Sequence, residues 1–319
     1  MASAGPGRSC PLGYRYGARS LAGPTALRAD TLYVAGGLYG NREALERLLE
    51  LYAGEPGDKA LVFNGDFHWF DVDAQDFRRV TESVLAHAAL RGNVETELAT
   101  PASGAGCGCS YPDWVGDADV ERSNRILERL RRTAVGFPAL LRRLASLPMH
   151  VVAEVGAERV AIVHGDAHSL AGWDFSQERL RTPAGRDAAA AALDAANARV
   201  IASSHTCLPV LQTFEAGGAL INNGAAGMPN FRGTRFGLAS RISVRRARKA
   251  LYGVRAGRLH VDALAIDYDG AAWERRFLAQ WPPGSDAHLS YHARIARGPD
   301  YAPADALREP TPGAGLAAA

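Results

Sequence analysis

Asp66, Asn93, His164 and the group Ser204-His205-Thr206-Cys207 each come just after a short apolar run. In chain order they offer a carboxylate, an amide oxygen, an imidazole, a second imidazole and a thiol. Oxygen and imidazole donors together suit a divalent ion such as Mn, Fe or Zn. An ion held this way acts as a Lewis acid and makes water nucleophilic near neutral pH. Asp66 alone has two ordinary uses, as a metal ligand or as the cap of a following helix, and its type does not choose between them. The set gains meaning only if the chain brings its members together.

The elements that must do so are legible in outline. Residues 31–34, 60–63 and 89–91 read as strands, and the apolar spacing of residues 44, 45, 48, 49 and 51 reads as a helix capped by Asn41. With a second helix over 74–88, the first hundred residues alternate β-α-β-α-β, the pattern of a parallel sheet. Gly65 permits a tight turn that leaves Asp66 on the carboxyl edge, where open α/β sheets keep their sites. If the strands share one sheet, the side chains converge on that edge. Residues 101–117 are a Gly- and Pro-rich loop containing Cys107 and Cys109, and helices over 118–133 and 137–146 complete an insertion at about 101–147. Strands return at 150–154 and 159–164 as a hairpin around Gly156. A helix over 185–196 leads to a strand at 199–203, then come strands at 210–214, 219–222, 237–244 and 259–268, and a last helix at 271–280. Residues 1–28 read as an irregular segment, 29–281 as the folded domain, and 282–319, rich in proline, as an irregular tail.

Bulk numbers narrow the class. The 319 residues are 47% hydrophobic and 22% charged, with net charge +2. That is ordinary globular composition, with no strong nucleic-acid or membrane-surface signal. No run of about 18 apolar residues exists to span a membrane. Four cysteines in so long a chain are no secreted disulfide framework, and no signal-peptide core is visible near Met1, so a cytoplasmic location is the default expectation. Composition sets no oligomeric state. Arg241, Arg245, Arg246, Arg248, Lys249, Arg255 and Arg258 form a basic cluster that reads as a solvated face and could also attract an anionic substrate. Residues 36–41 form a glycine-rich turn ahead of a helix, which could cradle a phosphate on backbone N–H groups.

The order of motifs resembles the calcineurin-like metallophosphoesterases, in particular their small phosphodiesterase branch. The pieces are Gly37-Leu38-Tyr39-Gly40-Asn41, Gly65-Asp66, Gly92-Asn93-Val94-Glu95, His164-Gly165, Ser204-His205-Thr206-Cys207-Leu208-Pro209 and Asn223-Gly224-Ala225-Ala226-Gly227-Met228-Pro229-Asn230. The resemblance spans about residues 31–232. It implies a four-layer α/β/β/α sandwich and hydrolysis of a small phosphomonoester or phosphodiester through a metal-bound water. The family's second metal pocket maps onto Asp66, Asn93, His164 and His205, all present. Its first pocket maps onto Gly37, Tyr39, Asp66 and Cys207, which implies a dismantled site. The family's histidine acid maps onto Val94.

The resemblance therefore implies a metal-dependent phosphoesterase with an altered centre that could hold one ion instead of two. Cys207 could add a thiolate ligand, with Cys107 and Cys109 as free thiols or further ligands. His68 and His168 could supply the missing proton or ligand, or be plain loop histidines. Glu95, Asp71 and Asp166 read as caps or as partners that orient histidines. Trp69, Phe70 and Trp173 read as packing or as a surface for a base. The alternative is a catalytically inactive relative that binds a phosphorylated ligand or a partner protein.

Overall fold

The computed structural model describes residues 5–311. The parts of the N- and C-terminal segments at 1–4 and 312–319 lie outside the described residues. The strands are β1 (Leu27–Ala29), β2 (Thr31–Ala35), β3 (Lys59–Asn64), β4 (Ala88–Leu90), β5 (His150–Val155), β6 (Glu158–Val163), β7 (Val200–Ser203), β8 (Val210–Phe214), β9 (Ala219–Asn222), β10 (Gly237–Ser243), β11 (Tyr252–Ala256), β12 (Leu259–Ile266) and β13 (Leu307–Thr311). The α-helices are α1 (Arg42–Ala53), α2 (Ala74–Val84), α3 (Asn93–Ala99), α4 (Asp117–Ala134), α5 (Pro138–Ala145), α6 (Pro183–Ala195), α7 (Gly270–Gln280), α8 (Asp286–Arg297) and the single turn α9 (Pro303–Ala306).

Two sheets result, one in the order β11-β12-β10-β2-β3-β4 and one in the order β1-β5-β6-β7-β9-β8-β13. The period of two along each strand decides what each sheet touches. Leu32, Val34 and Val62 face Val160, Ile162, Val200 and Ile221 in a core between the sheets. Their neighbours Tyr33, Ala35, Leu61 and Phe63 point the other way, into a core shared with α1, α2, α4 and α7. On the far side Ala161, Val163, Ile201 and Leu220 pack under α6. Strands buried on both faces must be apolar throughout, which is why β2 and β3 read as unbroken runs. The layers are α/β/β/α, as the motif order implied.

The irregular C-terminal tail is corrected. Helix α8 packs Ala287 and Ile295 into the main core, and β13 extends the second sheet beside β8. Proline on both flanks of α8 hid its apolar spacing. The N-terminal segment is largely irregular, yet β1 pairs with β5 and Tyr14 is buried with its hydroxyl donating to Glu97 at 2.7 Å. The strand β11 had no signal in the sequence. Among the described residues no helix is long and apolar enough to cross a membrane.

The basic cluster also resolves. Arg241 is buried and bridges Glu55 and Asp262. Ser243, at the end of β10, pairs with Thr31, at the start of β2. The loop that carries Arg245, Arg246, Arg248 and Lys249 thus lies at the opposite end of the sheet from Asp66.

Candidate metal centre

Asp66 follows β3, Asn93 follows β4, His164 follows β6 and His205 follows β7. They do not share one sheet. Two come from each, and they meet where the carboxyl edges of the two sheets lie side by side. One ligand atom each from Asp66, His164 and His205 falls within a 4.8 Å cluster, and all three residues are buried. His164 Nε2 is the hub, 3.3 Å from Asp66 Oδ1, 3.2 Å from Asn93 Oδ1 and 3.2 Å from His205 Nδ1.

The orientation of each donor is fixed from behind. His164 Nδ1 lies 2.8 Å from the Asn64 carbonyl. His205 Nε2 lies 3.0 Å from the Cys109 carbonyl. A carbonyl only accepts, so each of these nitrogens carries its ring proton and leaves the other with a lone pair. Asn93 Nδ2 donates to the Cys107 carbonyl at 3.0 Å, which turns Oδ1 inward. Four lone pairs thus face one another with no hydrogen of their own among them. Such an arrangement repels itself until a cation enters, either a proton on His164 or a metal ion. Spacings near 3.2 Å match the edges of a shell with bonds of about 2.0–2.2 Å. The donor set therefore fits a divalent ion.

The turn that presents Asp66 is held by Glu95. Its buried carboxylate accepts N–H bonds from Asp66 at 2.8 Å and Gly92 at 2.9 Å, and from Phe67 at 3.1 Å and His68 at 3.4 Å. Asp66 itself has φ +52°, a left-handed conformation that few non-glycine residues adopt away from functional sites. A Cβ on Gly92 would lie 2.3 Å from Asp66 Oδ1, so the backbone can pass under the carboxylate only as glycine. The Cys107–Cys109 loop is braced in turn by the N-terminal segment. Gly7 N–H donates to Ala105 O, and Glu97 receives Tyr14 and Arg131.

Burial pushes the Asp66 carboxyl up, but the charge and hydrogen bond of His164 outweigh it and hold the group below its ordinary value. Burial opposes protonation of His164, and Asp66 more than reverses that, so His164 rises. Burial and then the charge on His164 push His205 down to about 4. Without metal, Asp66 favours a proton on His164, beside a His205 that burial keeps neutral. A divalent ion competes with that proton for His164 Nε2. Metal affinity should therefore fall as pH drops through the raised His164 value, by up to about tenfold per pH unit. Titrations of Mn or Zn at a series of pH values check this, and a flat profile would remove His164 from the ligand set.

Three sequence expectations do not hold. His68 is fully buried away from the centre, its Nδ1 2.6 Å from Asp71 Oδ2 and its Nε2 3.0 Å from Thr81 Oγ1. Both ring nitrogens are used, and its ring stacks on Phe77. His168 has an exposed side chain on the loop that Asp166 clamps by accepting its backbone N–H, and it does not line the cavity at the centre. Cys207 Sγ turns to the Tyr39 hydroxyl at 2.8 Å and is not a member of the ligand cluster. Cys107 and Cys109 reach the centre through their carbonyls, and Cys109 Sγ also accepts weakly from Asn93 Nδ2 at 3.5 Å, outside the ligand cluster. His68→Ala should cost about 2–4 kcal/mol of stability and leave metal content unchanged. Thermal melts with elemental analysis read both, and loss of metal in a folded variant would restore His68 to the site.

Above the donors is a cavity of about 50 Å³, lined by Tyr39, Val94, Cys109 and Cys207 and by the rings of Trp69, Tyr111, Trp173 and Tyr291. Phe70 is core. Sequence reasoning missed the carbonyls of 107 and 109 and the ring of Tyr291, which comes from α8.

No protein-family model matches the sequence, and no curated protein does. Solved structures do. A hypothetical protein from Pyrococcus horikoshii OT3 superposes with TM-score 0.59 at 14% identity, covering 85% of this chain and 99% of that one. A metallophosphoesterase from Sphaerobacter thermophilus superposes with TM-score 0.56 at 17% identity, covering 85% of this chain and 100% of its own. Identity this low speaks for architecture, and the architecture is plain: this chain has the fold of the calcineurin-like metallophosphoesterases.

Proposed function

We propose that the protein is a metal-dependent phosphoric ester hydrolase with a centre built by Asp66, Asn93, His164 and His205, acting on a small phosphorylated substrate. The observation that carries this reading is the set of four inward-facing lone pairs, each oriented from behind by a carbonyl or an N–H group. A divalent ion there would polarise a phosphoryl oxygen and acidify water, and Mn, Fe or Zn suits the donors.

The chain's own part is positional. Glu95 sets the Asp66 turn, and the carbonyls of 107 and 109 aim Asn93 and His205. The aromatic walls keep bulk water away from the reacting group. In the hydrolysis the water oxygen bonds to phosphorus, the phosphorus–ester oxygen bond breaks, and a proton goes to the departing alcohol. Val94 cannot give that proton, and His68 and His168 are turned away. Leaving groups of low pKa, which depart without a proton, should therefore react best.

The test is elemental analysis of protein purified without added metal, then turnover of bis(4-nitrophenyl) phosphate with Mn or Zn. A bound ion and turnover are expected. A chain that binds no metal overturns the reading. A bound ion without turnover favours an inactive relative that binds a phosphorylated ligand or partner, a reading supported by Val94 and by the Tyr39–Cys207 contact.

A further inference from the structure

The loop of residues 244–251 joins β10 to β11 and is pinned against β12. Arg245 N–H donates to Ser243 Oγ at 3.1 Å, Ala247 N–H to Asp262 Oδ2 at 3.1 Å and Leu251 N–H to the Ala263 carbonyl at 2.9 Å. Ala247 packs inward on the main core, and its neighbours Arg246 and Arg248 are exposed, with Lys249 beside them. A Cβ on Gly253 would stand 2.3 Å from Asp262 Oδ1, so only glycine on β11 leaves room for the carboxylate that holds the loop. Between the loop and the two strands is a cleft of about 550 Å³, a volume typical of small-molecule sites. It lies at the opposite end of the sheet from Asp66.

The charges on its walls do not cancel. Arg246, Arg248, Lys249 and Arg255 face a single carboxylate, Asp262, and His260 adds to them when protonated. Asp262 also pairs with Arg241 at 3.5 Å, although Arg241 is matched by Glu55. The charge of Arg246 reaches Asp262 from further away. Arg245 is matched by Asp30, and Arg255 lines a neighbouring hollow together with Glu215. Among the described residues, Arg246, Arg248 and Lys249 have no carboxylate at ion-pairing distance. Four cations and one carboxylate give the lining a net +3, against +2 for the whole chain. The excess positive charge of the protein is therefore gathered in this cleft, where it repels itself until an anion enters.

One phosphate offsets about two of these charges at pH 7, so the full set calls for linked phosphates. Arginine forks match phosphate oxygens two at a time, and the pinned backbone fixes where the forks start. Beyond the cleft the chain is close to neutral, which gives a long nucleic acid no track to follow. We propose that the cleft between the 244–251 loop and β11–β12 is a ligand site separate from the metal centre, and that it takes a small anion with two or more linked phosphates. This inference stands apart from the hydrolase reading above.

The test is titration calorimetry with inorganic tripolyphosphate and orthophosphate on wild type and on Asp66→Asn, whose metal centre should be empty and so contributes neither binding nor chelation. Tripolyphosphate should bind at one site per chain in both proteins, at least about tenfold tighter than orthophosphate, and more weakly as salt is raised. Adenosine triphosphate bears the same linked phosphates on a nucleoside; if it binds tighter still, the proposal stands with a nucleotide as the ligand, and if it binds equally, the phosphates alone are read. Combining Arg246→Ala, Arg248→Ala and Lys249→Ala should cost about tenfold or more in tripolyphosphate affinity and leave the metal content as in wild type. Binding that vanishes in Asp66→Asn, orthophosphate that binds as well as tripolyphosphate, or a triple variant that binds like wild type overturns the inference and leaves the hydrolase reading untouched. So does tighter binding of a single-stranded oligonucleotide. If the triple variant does not fold, the ratio of the two phosphates on Asp66→Asn decides the matter.

Discussion

Asp66→Asn should yield a folded protein that has lost its metal. Asp66 is the one formal charge in the donor set, and an amide in its place leaves neutral donors to hold a divalent ion. Even partners outside the first shell of ligands are worth roughly 10–100-fold in metal affinity, so the charged ligand itself should cost more than that. The substitution is also the gentlest available for the backbone. Asp66 sits at φ +52°, and asparagine is among the few residues that accept that region readily. The N–H of Val94, which donates to Asp66 Oδ1 at 3.3 Å, can still find an amide oxygen. Loss of metal therefore cannot be put down to loss of the turn. His205→Asn, at φ +25°, gives the matching test on the other sheet. Circular dichroism should show native spectra for both, and elemental analysis a small fraction of the wild-type metal. Wild-type metal content in either variant would falsify the ligand assignment.

The residues that reach the centre were legible because each follows a strand. Asp66, Asn93, His164 and His205 could be chosen from the sequence, and the resemblance supplied the order. Their meeting place was not legible from the strands alone. A single parallel sheet would have set them in a row, whereas the centre joins the edges of two sheets that pack through Val34, Val62, Ile162 and Val200. His68 and His168 carried the same signal as Asp66, Asn93, His164 and His205, since both lie near strand ends. Burial and pairing separate them, and Asp71 and Thr81 claim His68 through contacts no spacing rule announces. Cys107 and Cys109 are free thiols, one of the two readings the sequence offered. What the sequence could not show is that their carbonyls turn Asn93 and His205, because a backbone carbonyl leaves no mark in a sequence. The C-terminal helix was hidden by the prolines around it, and with it Tyr291, a wall of the cavity.

Glu95→Ala should be the most damaging substitution outside the ligands. The carboxylate is wholly buried and accepts from four backbone N–H groups in two segments, Gly92 and 66–68. Burial and then the charge of Asp66 push this carboxyl up, so the site retains a group that its surroundings disfavour. The reason is geometric: no other side chain can satisfy those donors at once. Removing it strands buried N–H groups at about 1–3 kcal/mol each. Even after relaxation and entry of a water, a loss of about 3–5 kcal/mol is expected, a shift of roughly 10 °C in melting temperature for a chain of this size. Glutamine is no cure, because its NH₂ would face donors where an acceptor is required. Glu95→Gln should therefore fall between wild type and alanine in stability. Both variants should bind metal more weakly than wild type, because the 66–68 turn no longer fixes the carboxylate. Calorimetric melts of the metal-free and Mn-loaded proteins separate the two effects. A melting temperature within about 2 °C of wild type for Glu95→Ala would mean that the Asp66 turn holds itself.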